Sequence, residues 1–182
     1  MRAPTARPDH RRLFEIAESQ QGYFTTAQAV VSGFARSTHS YHVRSGNWVR
    51  EHRGIYRLTR FPLSDDSQLV LWSLWSRGRS GVPQGVYSHL TALSIKELSD
   101  ANPAKLHMIV SPDFRRSGEQ PPILVLHKAR LAPDEILHER GFDLTTPMRA
   151  ILDAAASGDA RREMMRQSLA GGKSLELIKR TG

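Results

Sequence analysis

The chain has no cysteine, which excludes disulfide staples and thiolate metal sites and suits a cytoplasmic protein. It has no apolar run near the roughly 18–20 residues that a membrane-spanning helix needs. Its start, MRAPTARPDHRR, has cations with no apolar segment behind them, so it reads as a mobile arm over 1–10 rather than a secretory signal. Catalytic signatures are also missing. There is no His-Glu-x-x-His, no kinase set of Gly-rich loop, His-Arg-Asp and Asp-Phe-Gly, and no paired Asp of a nucleotidyltransferase. GGKS at 171–174 ends like a phosphate-binding loop, but Gln167 stands where that loop needs Gly, and a helix is expected before it. The 8 His are scattered along the chain without metal-ligand spacing. Ser88-His89 has no carboxylate that the sequence places to complete a triad. No metal, no cofactor and no enzymatic activity are expected.

What is plentiful is positive charge. The formal net charge is +8 and the pI near 10.4. Residues 1–62 hold ten basic side chains, all Arg, against four acidic ones; 63–182 hold sixteen against fourteen. A GC-rich genome accounts for Arg over Lys in the composition, but less well for the placement. Arginine concentrated on one segment is the footprint of a polyanion partner, because guanidinium binds phosphate or guanine in a bidentate way.

The segment richest in signals is 33–58, GFARSTHSYHVRSGNWVREHRGIYRL. Before it, a helix opens at Thr25, where Gln28 three residues on completes a capping box, and closes at Gly33. Ala27, Ala29, Val30 and Val31 are expected to supply its packing. A second helix over 36–45 stops at Gly46. His39 and Val43, one turn apart, share the face expected to look inward. Arg36, Ser37, Thr38, Ser40, Tyr41 and Arg44 occupy the remainder, where side chains can read base edges or hold phosphates. Trp48 anchors a strand that reverses at Arg53-Gly54 into Ile55, Tyr56 and Leu58, with Arg50, His52, Arg53 and Arg57 around the turn. An earlier helix over 11–20, with Leu13, Ile16 and Ala17 on one side, closes a three-helix core. Helix, turn, helix and hairpin in this order predict a winged helix-turn-helix over 1–62 that binds double-stranded DNA.

GYFTTAQAV, the helix GFARSTHSYHVRSG and WVREHRGIYRL together resemble the N-terminal winged-helix domain of AbiEi-family antitoxins, over about 13–62. The resemblance implies a regulator of a type IV toxin–antitoxin pair. Such a regulator represses its own operon and counteracts a nucleotidyltransferase-like toxin, with homodimer or cooperative contacts on the operator left open. Two positions depart from the pattern. Ala35 stands where a Ser or Thr cap is usual, and His39 occupies an apolar core position.

Beyond Phe61-Pro62 a second, mixed α/β domain with a small sheet is expected over 63–182, making the chain α+β. Ser64, Asp65 and Asp66 look like a helix start, followed by an apolar run through Trp72 and Trp75 that implies burial or a partner surface. Ser88 opens another helix. Strands are expected at 106–110, 123–127 and 141–145, and Thr146-Pro147 starts a helix over 148–156 with Arg149 and Asp153 four apart. TTPMRAILDAAA also resembles the corresponding AbiEi segment. Helices over 159–170, with Arg161, Arg162 and Arg166 on one flank, and 175–180 complete the chain. On the resemblance, this domain supplies the antitoxin role. Two other classes stay open: an enzyme that covalently modifies the toxin, and a protein-interaction module that does not bind DNA.

Overall fold

Asp9 opens the first helix by accepting the Arg12 amide at 2.9 Å, and α1 (His10–Ser19) follows. Leu13 and Ala17 are its buried residues and Ile16 packs beside them, as the spacing predicts. The computed structural model describes residues 7–99, 103–116 and 118–158. The expected helices at 159–170 and 175–180, the GGKS segment and the first six residues of the expected arm lie outside that range.

After α1 come β1 (Tyr23–Thr25), α2 (Thr26–Val31), a 3-10 turn (Arg36–Thr38), α3 (His39–Arg44), β2 (Trp48–His52) and β3 (Ile55–Leu58). The sheet order is β1-β3-β2, antiparallel throughout, with Tyr23 opposite Arg57 and Trp48 opposite Leu58. This is a winged helix-turn-helix with its third strand supplied from between the first two helices.

The capping box is present: the Gln28 amide donates to Thr25 Oγ1 at 3.3 Å, and the Thr25 amide donates to Gln28 Oε1 at 2.8 Å. Gln28 also exchanges amide hydrogen bonds with Gln20 at 3.0 and 3.2 Å, and Gln20 donates to the Tyr23 carbonyl at 3.0 Å. One cap thereby fastens the end of α1, β1 and α2 together. Of the apolar residues assigned to α2 packing, only Ala29 is buried; Ala27, Val30 and Val31 are exposed. A six-residue helix turns only a narrow stripe inward, and Ala29 fills it.

α4 (Ser67–Trp75) begins two residues later than a cap at Ser64 implies, because Ser67 Oγ accepts the Ser64 amide at 2.8 Å and Asp66 takes the cap position. Trp75 is 3% exposed and Trp72 is half-buried with its ring edge-on to His52, so the run is core. Trp75 therefore offers no surface to a partner, and Trp72 only part of its own.

Contacts divide the chain into Met1–Gly85 with His138–Asp143, and Val86–Leu137 with Leu144–Gly182. The sequence places the break after Pro62. The division falls later because α4 packs on β1, β2 and β3 and joins the winged-helix core.

The remaining elements are β4 (Val86–Tyr87), α5 (His89–Ile95), β5 (Leu106–Val110), β6 (Leu124–Lys128), a 3-10 turn (Pro133–Glu135), β7 (Ile136–Glu139), β8 (Phe142–Thr145) and α6 (Pro147–Ser157). The sheet order is β6-β5-β4-β8-β7. β4 and β5 are antiparallel, whereas β5 and β6 are parallel despite lying next to one another in sequence. α5 packs on β5 and on α6. The expected Arg149–Asp153 pair forms at 3.0 Å, and Glu135 adds a second carboxylate at 2.8 Å, so Arg149 joins α6 to the turn before β7.

Gly22 turns the chain from α1 into β1 with φ +90°, and a Cβ there would lie 2.6 Å from the Phe61 ring. Gly46 has a similar φ of +74° with nothing within 4 Å. Gly46→Ala should therefore cost only the left-handed backbone, about 1 kcal/mol. Gly22→Ala should cost about 2–4 kcal/mol because the neighbouring side chain must also move. Urea midpoints of the two variants check this, and equal losses would remove the crowding argument.

Candidate nucleic-acid interface

The winged-helix core is aromatic. Trp48, 4% exposed, meets Phe24 at 4.9 Å, Phe34 at 5.3 Å, His39 at 5.3 Å and Tyr56 at 5.7 Å between ring centroids. His42 stacks on it at 4.5 Å with an interplanar angle of 20°. Three residues of the segment expected to read DNA thus face inward: His39, His42 and Val43.

His39 is buried as the spacing predicts, with Nε2 3.0 Å from the Phe34 carbonyl. That contact accounts for both departures noted in the sequence. Ala35 precedes the 3-10 turn without a side-chain cap, and the imidazole fastens α3 to the turn instead. Thr38 adds a second tie, its hydroxyl donating to the Ala35 carbonyl at 2.8 Å.

With His39 and Val43 inward, the opposite face is fixed. Arg36, Ser37, Thr38, Ser40, Tyr41 and Arg44 are all exposed, Tyr41 at 60%. On the wing, Arg50 and Arg53 are exposed, whereas His52 is half-buried against Trp72. Among the described residues, Arg36, Arg44, Arg50 and Arg53 have no acidic partner. Arg57 differs: its guanidinium is held by Glu51 at 2.8 Å and is largely buried, so it joins the two wing strands. The pairing slips between Arg50 and His52, a bulge that breaks the in/out alternation and leaves Glu51 able to reach Arg57.

The wing turn is anchored. The Gly54 carbonyl accepts the Thr26 amide at 3.0 Å and Arg77 Nη2 at 3.3 Å, so the tip is tied to the first residue of α2. Sequence reasoning missed this role of Arg77, which lies far from the wing in the chain, and missed the stacking role of His42. In the second unit the structure brings together three of the scattered histidines, His89, His107 and His127.

Residues 11–59 match the family model described as transcriptional regulator, AbiEi antitoxin. The match runs from α1 through β3 and bears out the resemblance seen in the helix and wing motifs. No curated protein matches the chain. Among the described residues, no helix is long and apolar enough to cross a membrane.

His42 also sets a pH dependence for the winged helix. Burial lowers its pKa, and the nearby His10 and His39 rings lower it further. Above the ordinary value of 6.5 the ring is neutral whether the chain is folded or not. Below it the unfolded chain takes up the proton first, so stability falls as pH drops through 6.5 toward the lower folded value. The urea midpoint should therefore decrease between about pH 7.5 and 5.5. His42→Phe, which keeps a flat ring on Trp48 but cannot be protonated, should decrease less. Parallel pH profiles for the two proteins would show that His42 is not the group responsible.

Proposed function

We propose that this protein is a DNA-binding repressor of its own operon and the antitoxin of a type IV pair, counteracting a nucleotidyltransferase-like toxin without enzymatic activity of its own. Arg36, Ser37, Thr38, Ser40, Tyr41 and Arg44 face the major groove. Arg50 and Arg53 grip the backbone beside it, with His52 contributing less because its ring lies on Trp72. The observation that carries the reading is a set of exposed arginines on α3, the turn before it and the wing that have no acidic partner among the described residues. Exposed guanidinium groups on one face repel one another and are relieved by phosphate, which is the physical case for a polyanion partner. Antitoxin activity belongs in this reading to the unit that follows the winged helix.

Affinity for the upstream duplex should fall steeply with salt, with a log–log slope of about −0.9 per phosphate neutralised. Arg44→Ala and Arg36→Ala should each lower specific affinity by about 1–3 kcal/mol, while Arg53→Ala should weaken specific and random DNA alike. Fluorescence anisotropy on both duplexes checks this. A salt-independent affinity would contradict the electrostatic basis, and altered sequence preference in Arg53→Ala alone would reverse the two roles.

The antitoxin role is tested with the full chain. When the toxin is induced from a foreign promoter, repression is irrelevant. An Arg36→Ala, Arg44→Ala double variant should then rescue growth as well as the unaltered protein, and the toxin's mass should stay unchanged. Loss of rescue at equal protein level would mean that DNA reading and neutralisation share one surface. A shifted toxin mass would favour an enzyme.

A further inference from the structure

β5 and β6 pair in parallel with His107 opposite Val125 and Ile109 opposite His127. Residues two apart on a strand share a face, so His107 and His127 are diagonal neighbours on one side of the sheet. α5 brings the third ring. His89, its first residue, is 4% exposed and stacks on His127 at 3.9 Å, with His107 at 5.5 Å. His107 Nδ1 and His127 Nε2 are 3.0 Å apart, and one ring nitrogen from each of the three residues falls within 4.8 Å of the others.

We propose that His89, His107 and His127 form a binding site for a divalent transition-metal ion of the zinc class, with three imidazole ligands and an open fourth position. Imidazole nitrogens bind zinc at about 2.0–2.1 Å, which places tetrahedral ligand atoms about 3.3 Å apart. The closest pair here already stands near that spacing, and small rotations of the third ring complete the set. Without an ion the cluster is held by a hydrogen bond between His107 and His127. Two facing ring nitrogens need one bare and one protonated partner, and further protonation sets cations against one another in a largely buried place. A single ion can take one nitrogen lone pair from each of the three rings.

The donor chemistry narrows the class. Three neutral nitrogen donors suit Zn²⁺ and its Cu²⁺ and Ni²⁺ neighbours, whereas Mg²⁺ and Ca²⁺ prefer oxygen. The surroundings fit a held ligand. Ser88 Oγ lies 2.9 Å from His89 Nδ1, where it can accept the ring proton and leave the other nitrogen bare. The His107 amide donates to Thr91 Oγ1 at 2.9 Å, and the Ser88 amide donates to the His107 carbonyl at 3.0 Å, so the start of α5 is fastened over β5. His89 is held at φ +54°, a left-handed conformation unusual for a side chain of this size. Such a conformation persists where surrounding contacts fix it, and functional sites are where it concentrates. An ion here would join three segments that are distant in sequence, and its presence is independent of the DNA-binding reading.

The test uses the full chain without a polyhistidine tag, stripped with chelator and titrated separately with Zn²⁺ and Co²⁺. One Zn²⁺ should bind per chain and raise the unfolding temperature by several degrees. Co²⁺ should give the intense visible bands of a four-coordinate nitrogen site. His127→Gln and His107→Gln should each weaken Zn²⁺ binding at least tenfold, whereas His138→Gln, on an exposed histidine paired with Asp143, should not. Binding should also weaken as pH falls below about 6.5, because protonated imidazole cannot ligate. No stoichiometric Zn²⁺ binding by the unaltered protein would overturn the proposal, as would undiminished binding in His127→Gln. The Co²⁺ spectrum decides without any variant: weak bands of a six-coordinate ion, or none, would equally overturn it.

Discussion

The winged helix depends on the seat of one indole. Trp48 begins the wing, yet its ring lies among residues from β1, the turn, α3 and β3: Phe24, Phe34, His39, His42 and Tyr56. A helix as short as α3 has little stability of its own, since most of its backbone groups are terminal. Its orientation against the wing is set by packing, and Trp48 is the side chain common to both. Aromatic pairs at these distances prefer edge-to-face or offset geometry, so the cluster fixes angles as well as burial. The exposed face carrying Arg36 and Arg44 is where it is because the other face is committed to this ring.

Electrostatics within the unit divides the arginines into two groups by distance from that core. Arg57 and Arg77 are turned inward and used structurally. One closes the wing strands on Glu51, and the other reaches the Gly54 carbonyl at the wing tip. Removing either partner of the Arg57–Glu51 pair would leave a charge in a largely dry place, which is worse than never having the pair. Arg36, Arg44, Arg50 and Arg53 stay exposed and remain available to an outside anion. The Arg57–Glu51 pair depends on the bulge between Arg50 and His52, which was not readable from alternation along β2.

Much of the first unit was legible because its signals are local. The Thr25–Gln28 box, Gly33, Gly46 and the Arg53-Gly54 turn each act within a few residues, and each falls where the sequence places it. β1 was not legible, since three residues between Gly22 and a helix cap carry no pattern, and only pairing with β3 makes them a strand. The start of α4 misled for a related reason. Ser64-Asp65-Asp66 has the composition of a cap, but Ser67 Oγ folds back to the Ser64 amide and moves the helix start. The late division between units follows from α4 as well: its apolar run promised burial without saying against what.

The histidine cluster marks the limit of reading by spacing. A metal motif on one helix shows itself as i, i+4, but here the ligand candidates lie 18 and 20 residues apart, on three elements. What aligns them is the register of β5 with β6, in which Leu106 pairs with Leu124 and every later residue with the one eighteen further on. His127 then falls two residues past the partner of His107, on the same face. A slip of one residue would turn His127 to the other side of the sheet and leave His89 stacked on nothing. Parallel pairing after a loop with no helix among its described residues gives the sequence no turn signal from which that register could be counted. The cluster and the register therefore stand or fall together, so any measurement that finds the three rings in one place also fixes how these two strands pair.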